Sequence, residues 1–330
     1  MQYSSLVTGA TLFASLSQGL VLDKRASRTS APEGCLVVQP KNTASGEFAK
    51  FGDANKALGS GSDAKCIFIN PGTYDEKVTV NYGGPLTIYG YTTDTSKFES
   101  NQVTITTTTS SAASGSLDKS AAVNFVSKVG LKVYNINFSN TFGLSGQAVA
   151  MAANGDKQGF YGCQFFGHQD TLYAKNGHQY YKGCYMEGSV DFIFGDASAW
   201  FESCTIAVNR DKGVITAMKR EGAAEATWYV FNQCTVRAAS GATVSAKSVN
   251  LGRPWGIFAR VMYQNSDLSE IISDGGYGTM TENATPDFEE FKNTGKGADT
   301  SNRKFFTKST AAVSQSAVLT GDLSWIDQAY

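Results

Sequence analysis

The sequence predicts an all-β fold, a parallel β-helix or β-solenoid, and two observations support this class. First, the 330 residues include 34 glycines, 20 phenylalanines and 15 tyrosines but 6 prolines, a composition typical of many short strands joined by tight turns. Second, one pattern recurs: an apolar residue, two residues of any kind, a cysteine, one further residue and another apolar residue. It occurs in FYGCQF (160–165), YKGCYM (181–186), FESCTI (201–206) and FNQCTV (231–236).

The spacing of these repeats indicates stacked coils. Their cysteines lie 21, 20 and 30 residues apart, and VYNINF (133–138) fits one coil earlier, with Ile136 at the cysteine position. Short strands repeating at this length suit a solenoid in which each coil stacks about 4.8 Å from the last. Equivalent positions then predict two ladders of core side chains, one of Val133, Phe160, Tyr181, Phe201 and Phe231 and one of Phe138, Phe165, Met186, Ile206 and Val236.

The flanking segments extend this fold in both directions. Upstream, three segments are interpreted as earlier coils: CIFINPGTY (66–74), KVTVNYGGPLTIYGY (77–91) and QVTITTTT (102–109). After about residue 280 the period is lost, and we expect a C-terminal tail with a short helix packed on the solenoid. Residues 26–330 are therefore predicted to form a single β-helix catalytic domain.

The amino terminus resembles an export signal. Residues 1–22 contain no charged side chain and are interrupted too often by Gly and Ser to make a good membrane span, and DKR follows at 23–25. We interpret residues 1–25 as a secretory signal, with a short pro-segment as an alternative for the last part. Two glycosylation sequons, at Asn137 and Asn283, fit a secreted glycoprotein.

The six cysteines of an exported chain invite disulfides. Cys35 and Cys66 are candidates to pair with each other. Within the ladder, a bond between Cys163 and Cys184 or between Cys184 and Cys204 is one interpretation. Buried free thiols that act as small apolar side chains are an equal alternative.

The charge balance excludes two classes of partner. The formal net charge is −1 at pH 7, so the chain lacks the polycationic surface that binds nucleic acid or an anionic membrane. We expect neither partner, and we expect the protein to be a monomer.

Two aspartates occupy equivalent positions of neighbouring repeats. Asp170 lies seven residues after Cys163, and Asp191 lies seven after Cys184, so their carboxyl groups should stack on successive coils, roughly 5 Å apart. Repulsion and burial raise the pKa of one carboxyl group, while a hydrogen-bonded partner keeps the other ionised. The pair therefore predicts a carboxylate that attacks a carbonyl carbon beside an acid that protonates the leaving group.

Two glutamines are candidate oxyanion donors. Gln169 adjoins Asp170, and Gln147 precedes it by 23 residues, which predicts Gln147, Asp170 and Asp191 on one face of the solenoid, on three successive coils. Side-chain amides suit an oxyanion hole. The alternative is that each glutamine makes an ordinary hydrogen bond on the strand surface.

The segment LGRPWG (251–256) supplies two further candidates. Arg253 could hold an ionised carboxylate through two hydrogen bonds, and Trp255 could stack on a sugar ring. Both could equally be structural.

Other polar residues are less promising. Asp211 repeats the offset of seven residues from Cys204, but its NRDKG context indicates a solvated turn. The chain has no G-x-S-x-G and only two histidines, His168 and His178, so a Ser-His-Asp esterase has little support.

Four motifs resemble those of the pectin methylesterase family, in its order and approximate spacing: GQAVA (146–150), HQDTLY (168–173), VDFIFG (190–195) and LGRPW (251–255). The chain looks like the short, fungal-type form. The resemblance implies a right-handed parallel β-helix that removes methyl esters from galacturonate units of pectin (homogalacturonan). It also implies that methanol is released without a cofactor, through a covalent acyl intermediate.

The resemblance also implies a role for each candidate residue. Asp191 would be the nucleophile and Asp170 the general acid and then base, an assignment that rests on the resemblance alone. Gln169 would be the main oxyanion donor with Gln147 assisting, and Arg253 would orient Asp191. The residues implied to line the cleft beside the sugar are Trp255, Phe194 and Tyr173.

Two other functions stay open at this point. A lyase or galacturonan hydrolase with the same fold would shorten the polymer, using a base and calcium or carboxylates that flank a glycosidic bond. A noncatalytic carbohydrate-binding solenoid would use the same aromatic face but would tolerate loss of the aspartates.

Overall fold

The computed structural model of the chain describes residues 26–41 and 43–330. Within those ranges the strands form three sheets of eleven, eight and seven strands, and neighbouring strands in each sheet run parallel. We number the sheets 1, 2 and 3 in the order in which each coil visits them. From Lys65 to Pro254 the chain makes seven full coils, and the predicted parallel β-helix is confirmed.

The strands of each sheet follow one another in chain order. Sheet 1 contains Leu36–Val38, Lys65–Ile69, Leu86–Gly90, Leu131–Tyr134, Gln158–Tyr161, His178–Lys182, Ser198–Glu202, Tyr229–Asn232, Arg260–Gln264, Asp287–Phe291 and Phe306–Lys308. Sheet 2 contains Gly72–Asp75, Val103–Thr107, Asn137–Asn140, Gln164–Phe166, Tyr185–Gly188, Thr205–Val208, Thr235–Ala238 and Asp267–Leu268. Sheet 3 contains Val78–Val80, Val123–Phe125, Met151–Asn154, Leu172–Asn176, Val190–Gly195, Val214–Met218 and Asn250–Pro254.

Helices are short and lie outside the sheets. The α-helices of the described residues are Phe51–Ala57, Ser111–Ser114, Leu117–Ser120 and Gln315–Val318, and Phe98–Ser100 is a 3₁₀ turn. The first of them buries Phe51 and Ala54 in the core next to the first coils. In the part of the chain that the structure describes, no helix has both the length and the apolar character needed to cross a bilayer.

The predicted aromatic ladder runs through sheet 1. Phe160 pairs in register with Val133 and with Tyr181, and the row continues to Phe201 and Phe231. The ring of Phe201 stacks between those of Tyr181 and Phe231, with centroid distances of 4.7 and 4.4 Å. These side chains are fully buried, so each coil supplies one ring to a continuous core column.

The second predicted ladder lies in sheet 2 with the expected register. Its members are Phe138, Phe165, Met186, Ile206 and Val236. All five are fully buried and belong to the same core cluster as the aromatic row. The two ladders therefore pack against each other inside the solenoid.

A left-handed corner between sheets 1 and 2 explains the repeat. The residue before each ladder cysteine has φ between 51° and 57°, and these residues are Gly162, Gly183, Ser203 and Gln233. Such a residue turns the chain sharply, at a cost of roughly 1–2 kcal/mol for a residue other than glycine. Ser203 and Gln233 adopt this conformation because the neighbouring coils turn at the same position and pair with them.

The ladder cysteines are buried free thiols, so the alternative without disulfides is the one observed. Each thiol lies 3.4 or 3.5 Å from a carbonyl oxygen of the preceding coil; Cys184 Sγ donates to Phe160 O at 3.4 Å. Cys35 and Cys66 form a disulfide, as the sequence suggested. This bond joins the first two strands of sheet 1, which pair in register at Leu36 and Ile67.

The expectation for the C-terminal tail is partly wrong. Asp287–Phe291 pairs with Arg260–Gln264, and Phe306–Lys308 pairs with Asp287–Phe291, so sheet 1 continues past residue 280. The other two sheets end earlier, so the sequence after residue 280 no longer shows the repeat of three strands per coil. The remaining tail does contain a short helix, and Val318, Trp325 and their neighbours pack on the outer face of sheet 1.

The two sequons have different environments. Asn137 is buried; its Nδ2 donates to Thr104 and its Oδ1 accepts from Asn101 and Gln164. Asn283 is exposed on a turn. The predicted secretory segment, residues 1–25, lies outside the described residues, and its cleavage stays a prediction.

Removing one ring of the core column tests this packing. We predict that Phe201→Ala lowers the free energy of unfolding by about 3–5 kcal/mol, because a fully buried aromatic side chain is replaced by a cavity between two stacked rings. The measurement is urea unfolding followed by tryptophan fluorescence. Leu144→Ala is the control, because Leu144 is 57% exposed, and its effect should stay within about 0.5 kcal/mol. A Phe201→Ala loss under about 1 kcal/mol would contradict the packing account.

Candidate active site

Asp170 and Asp191 lie at the same corner of two neighbouring coils, where the chain passes from sheet 2 to sheet 3. Gln169 pairs with Val190 across the coils, so the aspartates that follow them are adjacent. Asp170 N–H donates to Val190 O at 3.1 Å. Both aspartates have positive φ, 67° and 52°, and this strained backbone aims two carboxyl groups from one corner.

Gln147 lies one coil before Asp170, as the sequence predicted. Its register partner is Gln169, the residue before Asp170. Its side chain interacts with the Asp170 carboxyl group and lowers the pKa of that group. Gln147 is exposed and Gln169 half-buried. Among the described residues the Gln169 amide makes no hydrogen bond to another side chain, so its N–H groups are available to a ligand.

Arg253 holds Asp191 in a bidentate ion pair. Arg253 Nε donates to Asp191 Oδ1 at 2.8 Å, and Nη2 donates to Oδ2 at 2.5 Å. The two parallel hydrogen bonds fix the plane of the carboxylate. Asp191 is 5% exposed, so this pair lies largely out of water.

Arg253 reaches Asp191 across an intervening strand. Arg253 lies on Asn250–Pro254 and Asp191 on Val190–Gly195, with Val214–Met218 between them. On that middle strand the register partner of Arg253 is Ala217, which in turn pairs with Phe194 rather than with Asp191. The arginine side chain therefore reaches Asp191 diagonally, and strand register alone does not predict the contact.

The two carboxyl groups differ in protonation. Burial and then the neighbouring Asp191 charge raise the pKa of Asp170 to about 8, against the opposing effects of Gln147 and Arg253. Burial also raises the pKa of Asp191, but the hydrogen bonds and charge of Arg253 oppose that shift. Of the two carboxyl groups, Asp170 is therefore the one that favours the proton, and Asp191 is the one whose charge is stabilised.

Aromatic side chains form a floor beside the aspartates. Tyr173 and Phe194 are register partners on neighbouring coils and stack at 4.3 Å with an interplanar angle of 9°. The Trp255 ring lies 6.0 Å from Phe194 and packs against the same cluster. Small residues, Ala152 and Ala217, flank the stacked pair in the same register. Tyr173 is 9% and Phe194 2% exposed, so their stacked faces cover each other. Trp255 is only partly buried, and its ring is the one in this cluster that can offer a flat face to a sugar.

Of the other polar candidates, Asp211 and His178 lie away from the aspartate pair, and His168 adjoins it. Asp211 is exposed and accepts hydrogen bonds from Ser245 and Ser248, as expected of a solvated turn. His178 Nδ1 lies 2.8 Å from Asp156 Oδ1, on a strand of sheet 1. His168 directly precedes Gln169, and its Nδ1 is buried without a hydrogen-bond partner among the described residues.

The raised pKa of Asp170 predicts a pH-dependent penalty on stability. Between pH about 4 and about 8 the folded chain keeps a proton that the unfolded chain releases, so stability falls with pH by up to about 1.4 kcal/mol per unit. Asp170→Asn removes this dependence. We predict that the variant gains stability relative to the native chain as pH rises from about 5 to about 8, measured by urea unfolding at both values.

Asp211→Asn is the matched control for this experiment. The pKa of Asp211 is lowered by hydrogen bonds from Ser245, so this carboxyl group is ionised in both states across the range. The stability difference between this variant and the native chain should therefore stay constant. The same constancy in Asp170→Asn would contradict a protonated Asp170.

Comparison with known proteins gives a single family. The model of the pectinesterase family matches residues 37–320. The chain is 51% identical over 312 residues to "Probable pectinesterase A" of Aspergillus niger, covering 94% of this chain and 93% of that protein. It is 52% identical over 308 residues to "Pectinesterase A" of Emericella nidulans, covering 93% of each.

Solved structures agree with these sequence matches. The pectin methylesterase from Aspergillus niger in deglycosylated form is 51% identical and superposes with a TM-score of 0.88, over 92% of this chain and 100% of that chain. The pectin methylesterase from carrot is 28% identical and superposes with a TM-score of 0.76, over 86% of this chain and 90% of that chain. Since both kinds of match span nearly the whole chain, the chain belongs to the pectinesterase family of carboxylic ester hydrolases.

Proposed function

We propose that this protein hydrolyses the methyl esters of galacturonate units in pectin, by a mechanism in which Asp191 attacks the ester and Asp170 transfers protons. Family membership supports the substrate. One observation carries the mechanism: Asp191 is held by a bidentate arginine, whereas its neighbour Asp170 has a pKa raised to about 8. The pair thus offers an ionised nucleophile beside a protonated acid.

Asp191 is the nucleophile. The Arg253 fork keeps it ionised despite burial and fixes the direction of its oxygens. One carboxylate oxygen adds to the ester carbonyl carbon, and a tetrahedral intermediate forms. Because the carboxylate is already held in one orientation, the reaction step does not carry the entropy cost of orienting it.

Gln169 and Gln147 stabilise the negative oxygen of this intermediate. Two observations support this role: the two glutamines pair on adjacent coils, and the Gln147 side chain interacts with the Asp170 carboxyl group. Neutral amide donors suit this role because they stabilise developing charge without forming an ion pair with the resting carboxylates.

Asp170 acts first as an acid and then as a base. It gives its proton to the departing methoxide oxygen, methanol leaves, and Asp191 and the galacturonyl carbonyl are joined as an anhydride. The ionised Asp170 then takes one proton from water as the water oxygen attacks the anhydride, the bond to Asp191 breaks, and the galacturonic acid product releases its remaining proton to solvent as it becomes a carboxylate. Asp191 and the protonated Asp170 are restored.

The aromatic floor supports recognition of a sugar chain. Trp255 is partly exposed next to Phe194, and a pyranose ring can pack on its face. Tyr173 and Phe194 stack on each other and line the cleft beside it. The net charge of −1 provides no general attraction to a polyanion, so binding depends on these local contacts. We further propose that the protein acts outside the cell as a monomer, on pectin and without nucleic-acid or membrane partners.

Replacing the nucleophile tests the proposed reaction. Asp191→Asn should lower methanol release from methylated pectin at least about a thousandfold, because an amide cannot form the anhydride. Binding to pectin, measured by sedimentation with insoluble polymer, should persist. Asp211→Asn is the control and should keep its activity.

The products distinguish the rival functions. Methanol release with unchanged polymer length supports the esterase. Shortened chains with new reducing ends or unsaturated termini would show a hydrolase or lyase. Full turnover in Asp191→Asn would contradict the mechanism.

Arg253→Lys tests the arginine fork. Lysine keeps the charge but offers no planar pair of donors, so at least one charge-assisted hydrogen bond to Asp191 is lost. We predict a fall in kcat of about ten- to a hundredfold. Arg237→Lys in sheet 2 is the control, because Arg237 donates to the Ala238 carbonyl rather than to a carboxylate, and it should keep native activity. Native kcat in Arg253→Lys would show that the fork is structural.

A further inference from the structure

The strand that carries Arg253 lies at the edge of sheet 3. Asn250–Pro254 pairs with Val214–Met218 and is the last strand of that sheet in the part of the chain that the structure describes. Residues 271–281, which form no strand, run along its other side. We call them the edge segment. Because an edge strand has a neighbouring strand on one side alone, what lies along the other side decides how firmly it is held.

The edge segment holds this strand through backbone hydrogen bonds just before the arginine. Leu251 N–H donates to Gly276 O at 2.7 Å. Gly278 N–H donates to Gly252 O at 2.9 Å. A Cβ atom added to Gly278 would lie 3.8 Å from Arg253 Cβ, so the segment also borders the base of the arginine side chain. A shift of the edge segment would therefore displace Arg253.

A buried ion pair fixes the edge segment. Arg303 Nη1 donates to Ser273 O at 2.8 Å, and Nη2 donates to Gly297 O at 2.5 Å. The same guanidinium pairs with Glu290, from Nε to Oε1 at 2.7 Å and from Nη2 to Oε2 at 3.3 Å. The two side chains are 1% and 2% exposed. The carboxylate and the carbonyl groups together hold the planar guanidinium in one orientation.

Gly276 connects this arginine to the strand of the active site. A Cβ atom added to Gly276 would lie 2.3 Å from Arg303 Cδ, so the glycine backbone packs directly on the arginine side chain. The Gly276 carbonyl is also the one that accepts from Leu251. Glu290 lies on the sheet 1 strand Asp287–Phe291. The ion pair therefore anchors the edge segment to sheet 1, and the segment in turn supports the edge of sheet 3.

We propose that Arg303 is a positioning residue for the reaction, because it holds the edge segment in place and thereby aligns Arg253 with Asp191. This inference rests on the proposed function. Both hydrogen bonds of the fork need their donors in the plane of the carboxylate. A small displacement of the strand therefore weakens the orientation of the nucleophile, although Arg303 makes no hydrogen bond to either aspartate among the described residues.

The test measures kcat for methanol release from methylated pectin. Arg303→Lys keeps the charge but loses the planar set of donors, so kcat should fall about tenfold while KM changes less than about twofold. Glu290→Gln keeps the shape of the partner but removes its charge, and it should also lower kcat, which provides a second variant if the first does not fold. Arg260→Lys is the matched control and should keep native kcat, because Arg260 pairs with Asp287 at 3.0 Å between two strands of sheet 1.

A double variant separates positioning from a general loss of stability. If Arg303 acts through Arg253, adding either change to Arg253→Lys should lower kcat by less than about twofold further, because the fork is already lost. Phe201→Ala weakens the core at a site away from the edge segment. It should keep native kcat per folded molecule, with the folded fraction measured by circular dichroism.

The possible failures are distinguishable. A native enzyme that releases no methanol would overturn the proposed function and this inference with it. Methanol release by the native enzyme together with native kcat in Arg303→Lys or Glu290→Gln would overturn the inference alone. Losses that multiply in the double variant, or an equal loss of kcat in Phe201→Ala or Arg260→Lys, would also overturn it.

Discussion

Coil-to-coil register is the constraint on which the rest of this structure depends. Because neighbouring coils pair in parallel, residues at one offset from the repeat cysteine recur in one row about 4.8 Å apart. That register stacks aromatic rings inside the solenoid and, at another corner, brings Asp170 next to Asp191. Backbone hydrogen bonds between coils thus hold together two acidic groups that would repel each other in solution.

Register alone would make the two carboxyl groups equivalent, and a single arginine makes them different. Arg253 forms a bidentate ion pair with Asp191 and forms none with Asp170. A buried carboxyl group without a paired charge retains its proton. The site therefore keeps an acid next to a carboxylate, and the raised pKa of Asp170 means that the fold gives up stability to do so.

The sequence predicted the features that repeat from coil to coil, and it did not predict the features that occur once. Both core ladders followed from the cysteine spacing, and the adjacency of the aspartates followed from a shared offset of seven residues. Asp287–Phe291 was missed because it pairs in sheet 1 alone. The Arg253 contact spans two strands and 62 residues, and no local pattern encodes such a distance; here the family resemblance supplied it.

The central claim is that, of two adjacent carboxyl groups, Asp170 carries the proton. Infrared difference spectroscopy of the carboxylic acid C=O stretch tests it directly, at pH about 6, two units below the pKa of about 8. The account predicts a protonated carboxyl band in the native protein that disappears in Asp170→Asn and shifts in frequency, without being lost, in Asp191→Asn. A band that persists in Asp170→Asn and disappears in Asp191→Asn would contradict it.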